Sequence, residues 1–396
     1  MGVYLDYQAT SPMPDSVREI YVEALAGVGN PSSIHQAGQR QRAILEDAKD
    51  RIARILGCEP IEIILTSGGT EAINTALKGA VWAWQAERGP DAPTTIVSTR
   101  AEHHATLDAL AWLESSEGTE IAWVPVDGDS VLDTDSLEVI LADHPATMVT
   151  TLLANNEVGS LQPVEEIARL SREAGVPVHV DAIAALGYIP VNFSELGVTA
   201  MSVSAHKVGG PVGVGALVLS RHAPELSALV HGGDQQRGRS GTLDTAGVVA
   251  FAAALELRDQ LRLEYAEGLR SLRDSLRTQL STAVPEIVIR GSFDARLPGN
   301  LHITVPGCEG DVLLYLLDQH GIQVSTGSAC QAGVPEASHV LVAMGLPEDT
   351  ARGALRFSLG YHTTARDIEA VVSVFAGVVE QARQAGMASG HSRSSI

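Results

Sequence analysis

Basic residues are scarce in this 396-residue chain: 27 lysines and arginines stand against 48 aspartates and glutamates, a formal net charge of −21. A surface of that sign repels phosphate backbones and anionic bilayers, so neither nucleic acid nor a membrane is expected as a direct partner. Cysteine is nearly absent. Cys58, Cys308 and Cys330 are too few and odd in number for a disulfide framework, which points to a reducing, cytoplasmic setting. No run of about 18 apolar residues reads as a membrane span. The opening MGVYLDYQATSP lacks the basic and apolar regions of a signal peptide, so none is expected. What the chain does have is a 45% hydrophobic composition, enough for one large core and a second, smaller one.

Short apolar runs alternate with helical patterns along the first two thirds. IEIILTS (61–67), TTIVST (94–99), EIAWVPV (120–126), TMVTTLLA (147–154), VPVHVDA (176–182), AMSVSA (200–205) and VGALVLS (214–220) read as seven strands. Several are continuously apolar, as strands buried on both faces are, and helices separate most of them. The pattern predicts an α/β fold, a mostly parallel seven-stranded sheet covered by helices. Past residue 250 it changes. Residues 248–283 read as one or two long helices; EIVIRGS, NLHITVPG, QVSTGS and LRFSLG then read as strands among helices at 309–320 and 363–384. The expected division is a large α/β domain at 15–259, a smaller α+β domain from 1–14 with 260–386, and a disordered tail at 387–396.

Polar residues collect at the carboxyl ends of the inferred strands, where ligands bind in open α/β sheets. The first strand ends in Ser67-Gly68-Gly69-Thr70 and opens a helix, a cup of backbone N–H groups suited to a phosphate. Later strands end in Glu102-His103-His104, in Asn155-Asn156-Glu157, in His179 and Asp181, and in Ser204-Ala205-His206-Lys207. Lys207 is the single lysine in a run, Gly197 to Ser220, that contains no acid. A lysine without a partner in an apolar setting loses its proton readily, which suits Schiff-base chemistry. An anion cup, a flat ring, a carboxylate and an isolated lysine together fit pyridoxal phosphate. The histidines form no compact ligand motif, and no metal is expected.

These features are joined by longer motifs in a fixed order: YLDYQAT (4–10), GNPSSIH (29–35), LTSGGTEAIN (65–74), AEHHATL (101–107), NNEVG (155–159), HVDA (179–182), SAHKVGGPVGVGAL (204–217), RSGT (239–242), STGSACQAG (325–333) and LRFSLG (355–360). In this the chain resembles the cysteine desulfurases, in the class V aminotransferase branch of the fold-type I pyridoxal-phosphate enzymes. The resemblance implies that Lys207 carries pyridoxal 5′-phosphate, that Asp181 pairs with the pyridinium nitrogen, and that His103 stacks on the ring and handles protons. It implies that Asn156 lies beside the ring oxygen and substrate. Gly69, Thr70, Ser204 and His206 would hold the phosphate, with Thr242 reaching over from the partner subunit of a homodimer. Arg356 would grip the carboxylate of L-cysteine. Cys330 would take the sulfur as a persulfide, release alanine and hand the sulfur to acceptor proteins for iron–sulfur cluster or thio-product synthesis.

The residues around Cys330 agree with that role. Thr326 to Ala337 is small and rich in turn formers, a composition suited to a mobile loop on a rigid scaffold. Cys58, at the end of an apolar helix, and Cys308, just after ValProGly, read as structural. Two departures from the family pattern stand out. Ala184 occupies the place where the family usually has a glutamine bonded to the cofactor's ring oxygen, and GGDQQRGRSGT (232–242) is one residue short. A selenocysteine lyase, or another class V C–S lyase or aminotransferase, would share most of these motifs. A non-enzymatic scaffold would not need Lys207, Asp181, His103 and Cys330 together.

Overall fold

The computed structural model describes residues 2–143, 145–327 and 337–393, from 386 onward by backbone alone. A two-residue strand, β1 (Val3–Tyr4), opens the chain. The central sheet follows, from β2 (Ile63–Thr66), β3 (Thr95–Thr99), β4 (Glu120–Val124), β5 (Met148–Leu152), β6 (Val178–Asp181), β7 (Ala200–Ser204) and β8 (Gly215–Leu219). Each lies inside one of the seven apolar runs, and their spatial order is β2-β8-β7-β6-β5-β3-β4. Only β8 runs against its neighbours; the other pairings are parallel. The carboxyl ends of β2, β3, β5, β6 and β7 therefore share one edge of the sheet.

Two-sided burial explains the continuous apolar runs. One face presents Ile64, Ile96, Met148, Ala200 and Leu217 to the helices Gly69–Arg88 and His104–Glu117. The opposite face presents Ile63, Val97, Val149, Val180, Met201 and Val218 to the helices Gln36–Leu56, Val164–Glu173 and Thr245–Ala283. Alternate residues of one strand thus meet different helix layers, so most positions along it are apolar, and the polar His179 inside β6 pairs within the sheet, with Thr150 Oγ1 at 2.9 Å and Ser202 Oγ at 2.8 Å.

The remaining strands are β9 (Val288–Arg290), β10 (Asn300–Thr304), β11 (Ile322–Gln323) and β12 (Ala354–Ser358). β12, β10 and β9 form an antiparallel sheet, and β1 pairs in parallel with β11. QVSTGS contributes only Gln323 to β11. Its partner β1 is two residues long, and Ser325 then leaves to exchange backbone hydrogen bonds with Arg356. Residues 248–283 lie in a single helix, Thr245–Ala283, capped by Asp244, whose carboxylate accepts from Gly247 N at 3.0 Å. The last helix runs from Ala365 to Arg393, through most of the stretch expected to be a disordered tail. No proline interrupts it, and extending a formed helix fixes one residue per added hydrogen bond. Among the described residues no helix is long and apolar enough to cross a membrane.

Candidate active site

A cavity of about 260 Å³ opens at the shared strand edge, lined among others by Thr70, His103, Asn156, Asp181, Ser204 and Lys207. These polar residues arrive from the ends of five strands, Ser204 and Lys207 both from β7. At one end β2 turns through Ser67 into the helix Gly69–Arg88. Gly68 has φ of +147°, in the region that favours glycine, and a Cβ on Gly69 would lie 2.0 Å from Ile183 Cδ1, so any side chain there would push Ile183 into another rotamer. Ser67 N–H donates to Glu71 Oε2 at 2.7 Å. The anion cup therefore narrows to Gly69 and Thr70, whose N–H groups have no acceptor within the helix. Ser204 and His206 stand beside them on the cavity wall.

Asp181 ends β6 and is buried, with Oδ1 accepting from Ile183 N at 2.9 Å. Burial pushes its carboxyl up to about 6. Behind it lies a second buried acid, Glu102. Burial, then the neighbouring Asp181, pushes Glu102 up to about 8. Its Oε1 accepts from Thr99 Oγ1 at 3.0 Å and Leu152 N at 3.3 Å. His103 caps the helix His104–Glu117, its Nδ1 accepting from Ala105 N at 3.0 Å. The ring borders the cavity, and the protein around it, then Lys207, lowers its pKa to about 4, so it is a neutral flat surface. His206 is lowered to about 4 by the same two causes in the same order.

Lys207 follows β7 on a short 3₁₀ turn, Ala205–Lys207. Its Nζ donates to the carbonyl of Gln8. Burial, then the Arg356 charge, lowers its pKa to about 8 against the opposing pull of Asp181 and Asp6. A lysine so placed has a substantial neutral fraction near neutral pH, the state in which an amine attacks a carbonyl or takes a proton.

Arg356, on β12, does not line this cavity. Its Nη1 donates to Asn156 O at 2.9 Å and its Nη2 to Asp6 Oδ1 at 2.8 Å, next to the cavity wall. Asn156 Oδ1, Ser204 Oγ and Arg356 Nε are buried with no hydrogen-bond partner among the described residues. Each bare polar atom costs about 1–3 kcal/mol, which a polar ligand would relieve. Donors at the phosphate end, a neutral ring, a buried acid and a depressed lysine therefore fit pyridoxal phosphate. Ala184 offers only a methyl group to the cavity wall. Thr242 is exposed and lies away from the cavity. Cys330 lies outside the described residues. Asp6 and the Gln8 carbonyl had no role in the sequence reading; their sole signal is their place in YLDYQAT.

Comparison with known proteins agrees with this arrangement. The family described as aminotransferase class-V matches residues 3–371. An "IscS-like cysteine desulfurase" of Mycobacterium tuberculosis is 43% identical over 388 residues, covering 97% of this chain and 98% of that one. A solved "NifS-like protein" superposes with a TM-score of 0.87 at 34% identity, over 96% of this chain and 100% of its own. Another solved protein, "SspA in complex with cysteine", has a TM-score of 0.75 at 28% identity, over 90% of this chain and 98% of its own. The chain belongs to the class-V aminotransferase family, in its cysteine desulfurase branch.

Proposed function

We propose that this protein is an L-cysteine desulfurase dependent on pyridoxal 5′-phosphate, and that Cys330 receives the sulfur. The observation that carries the reading is the convergence of Lys207, Asp181, His103 and the Gly69–Thr70 turn on one cavity, in a chain 43% identical to a protein of that name. The bound cofactor would supply an aldehyde for amines and a ring able to take up electrons. Lys207 would hold it by Nζ and later move the proton at the substrate Cα. Asp181 would face the ring nitrogen, where a buried carboxylate favours a proton on its partner. His103, neutral, would stack on the ring. Gly69, Thr70, Ser204 and His206 would bind the phosphate, helped by Thr242 of a second copy. Arg356 and Asn156 would hold the substrate carboxylate; the unpartnered Arg356 Nε supports this assignment.

Sulfur transfer follows from the thiolate of Cys330. It attacks Sγ of bound cysteine, the new S–S bond forming as the Cβ–Sγ bond breaks, and alanine leaves after the carbon side takes up a proton. The pKa of His103, lowered to about 4, keeps its ring neutral, and that of Lys207, lowered to about 8, leaves a fraction of its amine neutral, so both can take up a proton. The persulfide then passes to acceptor proteins. We further propose a cytoplasmic homodimer, with residues 15–259 as the cofactor-binding domain and 1–14 with 260–386 as the smaller one. Exposed Ile20, Val22, Leu25, Ile34 and Ile44, on and between the helices Asp15–Leu25 and Gln36–Leu56, support a self-association face.

The deciding experiment compares the wild type with Cys330→Ala for alanine and protein-bound persulfide made from L-cysteine. The wild type is expected to form both, and the variant to lose the persulfide. Persulfide on Cys58 or Cys308 instead would overturn the assignment. Release of selenium from selenocysteine that does not need Cys330 would favour the lyase.

A further inference from the structure

The register of the central sheet stops at Ser204, the last residue of β7, and Lys207 lies beyond it on the turn Ala205–Lys207. Where Lys207 stands therefore depends on what holds that turn. A turn that does not continue into a helix leaves its last carbonyls without donors of its own. Here three consecutive carbonyls are all occupied from outside. The Ser11 N–H donates to His206 O at 2.9 Å, Ser11 Oγ donates to Lys207 O at 2.7 Å, and Arg258 Nε donates to Val208 O at 2.9 Å. Ser11 is 5% exposed and Arg258 2%.

Arg258 takes no part in the chemistry proposed for the site. It projects from the helix Thr245–Ala283, and its guanidinium lies on the ring of Tyr361, which follows β12, the strand of Arg356. Among the described residues no carboxylate pairs with it, and its Nη2 has no hydrogen-bond partner. Burying a guanidinium this way is costly, and an apolar side chain of similar size would fill the space at lower desolvation cost. What the arginine adds is a directional, charge-assisted bond to one carbonyl, from a rigid helix. Ser11 grips the turn from the other side, at the end of the opening segment whose Gln8 carbonyl accepts from Lys207 Nζ. The bond to Gln8 competes with capture of an aldehyde by Nζ; the bonds to the backbone do not.

We infer that Arg258 and Ser11 are positioning residues: by holding the carbonyls of His206, Lys207 and Val208, they fix the turn that places the Lys207 amine against the cofactor's aldehyde. The inference rests on the reading of Lys207 as the residue that carries the cofactor. Misplacing a reacting group by an ångström costs on the order of a hundredfold in rate, while binding of the phosphate and ring by other residues is untouched.

The test compares the full chain with Arg258→Met, Ser11→Ala and Arg258→Lys. Pyridoxal phosphate is added to cofactor-free protein, and capture is followed by absorbance and by borohydride fixation on Lys207, read by mass spectrometry. Well above pH 8, where the amine is neutral, Arg258→Met is expected to capture at least about tenfold more slowly. Ser11→Ala removes one donor of three and is expected to slow capture about threefold or more. Arg258→Lys keeps a charged donor and is expected to recover part of the rate. The Kd for pyridoxal phosphate, measured with Lys207→Ala added to each variant, is expected to move by no more than about twofold. The pH midpoint of capture is expected to rise in Arg258→Met from about 8 towards the ordinary lysine value of 10.5, because a loosened turn lets water reach the amine. The charges that act on Lys207, those of Arg356, Asp181 and Asp6, are unaltered in these variants. In loaded protein the absorbance change driven by L-cysteine is expected to slow likewise, with the half-saturating concentration within about twofold. If Arg258→Met fails to fold, Ser11→Ala decides. Unchanged capture in folded Arg258→Met and Ser11→Ala would overturn the inference, as would a loss of cofactor affinity equal to the loss of rate. Fixation of the wild-type cofactor on another lysine would overturn the reading of Lys207 and this inference with it. Failure of the Arg258 and Ser11 variants alone would leave the reading of Lys207 standing.

Discussion

The floor of the cavity and its rim are built in different ways. The floor is a set of strand ends: His103, Asn156, Asp181 and Lys207 each take over where an apolar strand of one parallel sheet stops. The rim is a set of ties between remote parts of the chain. Arg356 reaches Asp6 across 350 residues and the Asn156 carbonyl across 200, and Ser338 reaches Glu157 across 181. The floor gains its geometry from the sheet, whose register leaves each end little freedom. The rim depends on single polar contacts, each with a desolvation cost that its partner must offset. Floor residues are therefore expected to govern chemistry, and rim residues to govern where reactants sit.

The sharpest break in that comparison would come from Lys207. Lys207→Ala is expected to lower turnover by at least about three orders of magnitude, since both nucleophile and base are lost. Borohydride treatment of the wild type is expected to fix the cofactor on Lys207, and mass spectrometry locates it. The pH dependence has a definite sign. The neutral amine is the reactive form and its pKa is lowered to about 8, so capture of added pyridoxal phosphate by the cofactor-free protein should slow about tenfold per pH unit below that value and level off above it. A flat profile from pH 6 to 8 would remove Lys207 from the capture step.

Arg356→Lys tests the rim. A lysine cannot bridge Asn156 O and Asp6 as a guanidinium fork does, so the KM for cysteine is expected to rise on the order of tenfold or more with the cofactor absorbance intact. Asp6→Asn keeps a weaker acceptor for Nη2 and should give a smaller rise. If both variants instead lost the cofactor, the rim would have to count as part of the floor.

The smallest effect is expected at Glu102, behind the floor. Its carboxyl is raised to about 8, so between its ordinary value near 4.5 and 8 the folded protein holds a proton that the unfolded chain releases. Stability from this group is therefore present below about pH 4.5 and is lost as pH rises towards 8. Glu102→Gln, which keeps an acceptor for Thr99 and Leu152, should raise the melting temperature by a few degrees at pH 8.5 and by less at pH 6. Equal shifts at both pH values would show that Glu102 does not titrate in that range.

Most of the floor was legible before any coordinates. A largely apolar run six to eight residues long that stops at a polar cluster marks a strand end, and the parallel order brings such ends to one edge. Lys207 stood out because no acid occurs from Gly197 to Ser220. The anion cup was read slightly too wide, because the Glu71 carboxylate claims the Ser67 N–H from one turn along the helix. Glu102 was visible beside His103, yet nothing in its spacing revealed that it is buried against Asp181.

The sequence by itself determined the alternation of strands and helices, the seven apolar strands and the residue types at their ends, because these depend on contacts close along the chain and on a two-sided core. Only the tertiary structure decided that Asp6 would face Arg356, that the Gln8 carbonyl would receive Lys207, and that Ser338 would donate to Glu157. Those pairings are set by how three sheets and the long helix pack together. No local periodicity encodes them, because a polar side chain satisfied at a distance of hundreds of residues reads the same in sequence as one satisfied by water.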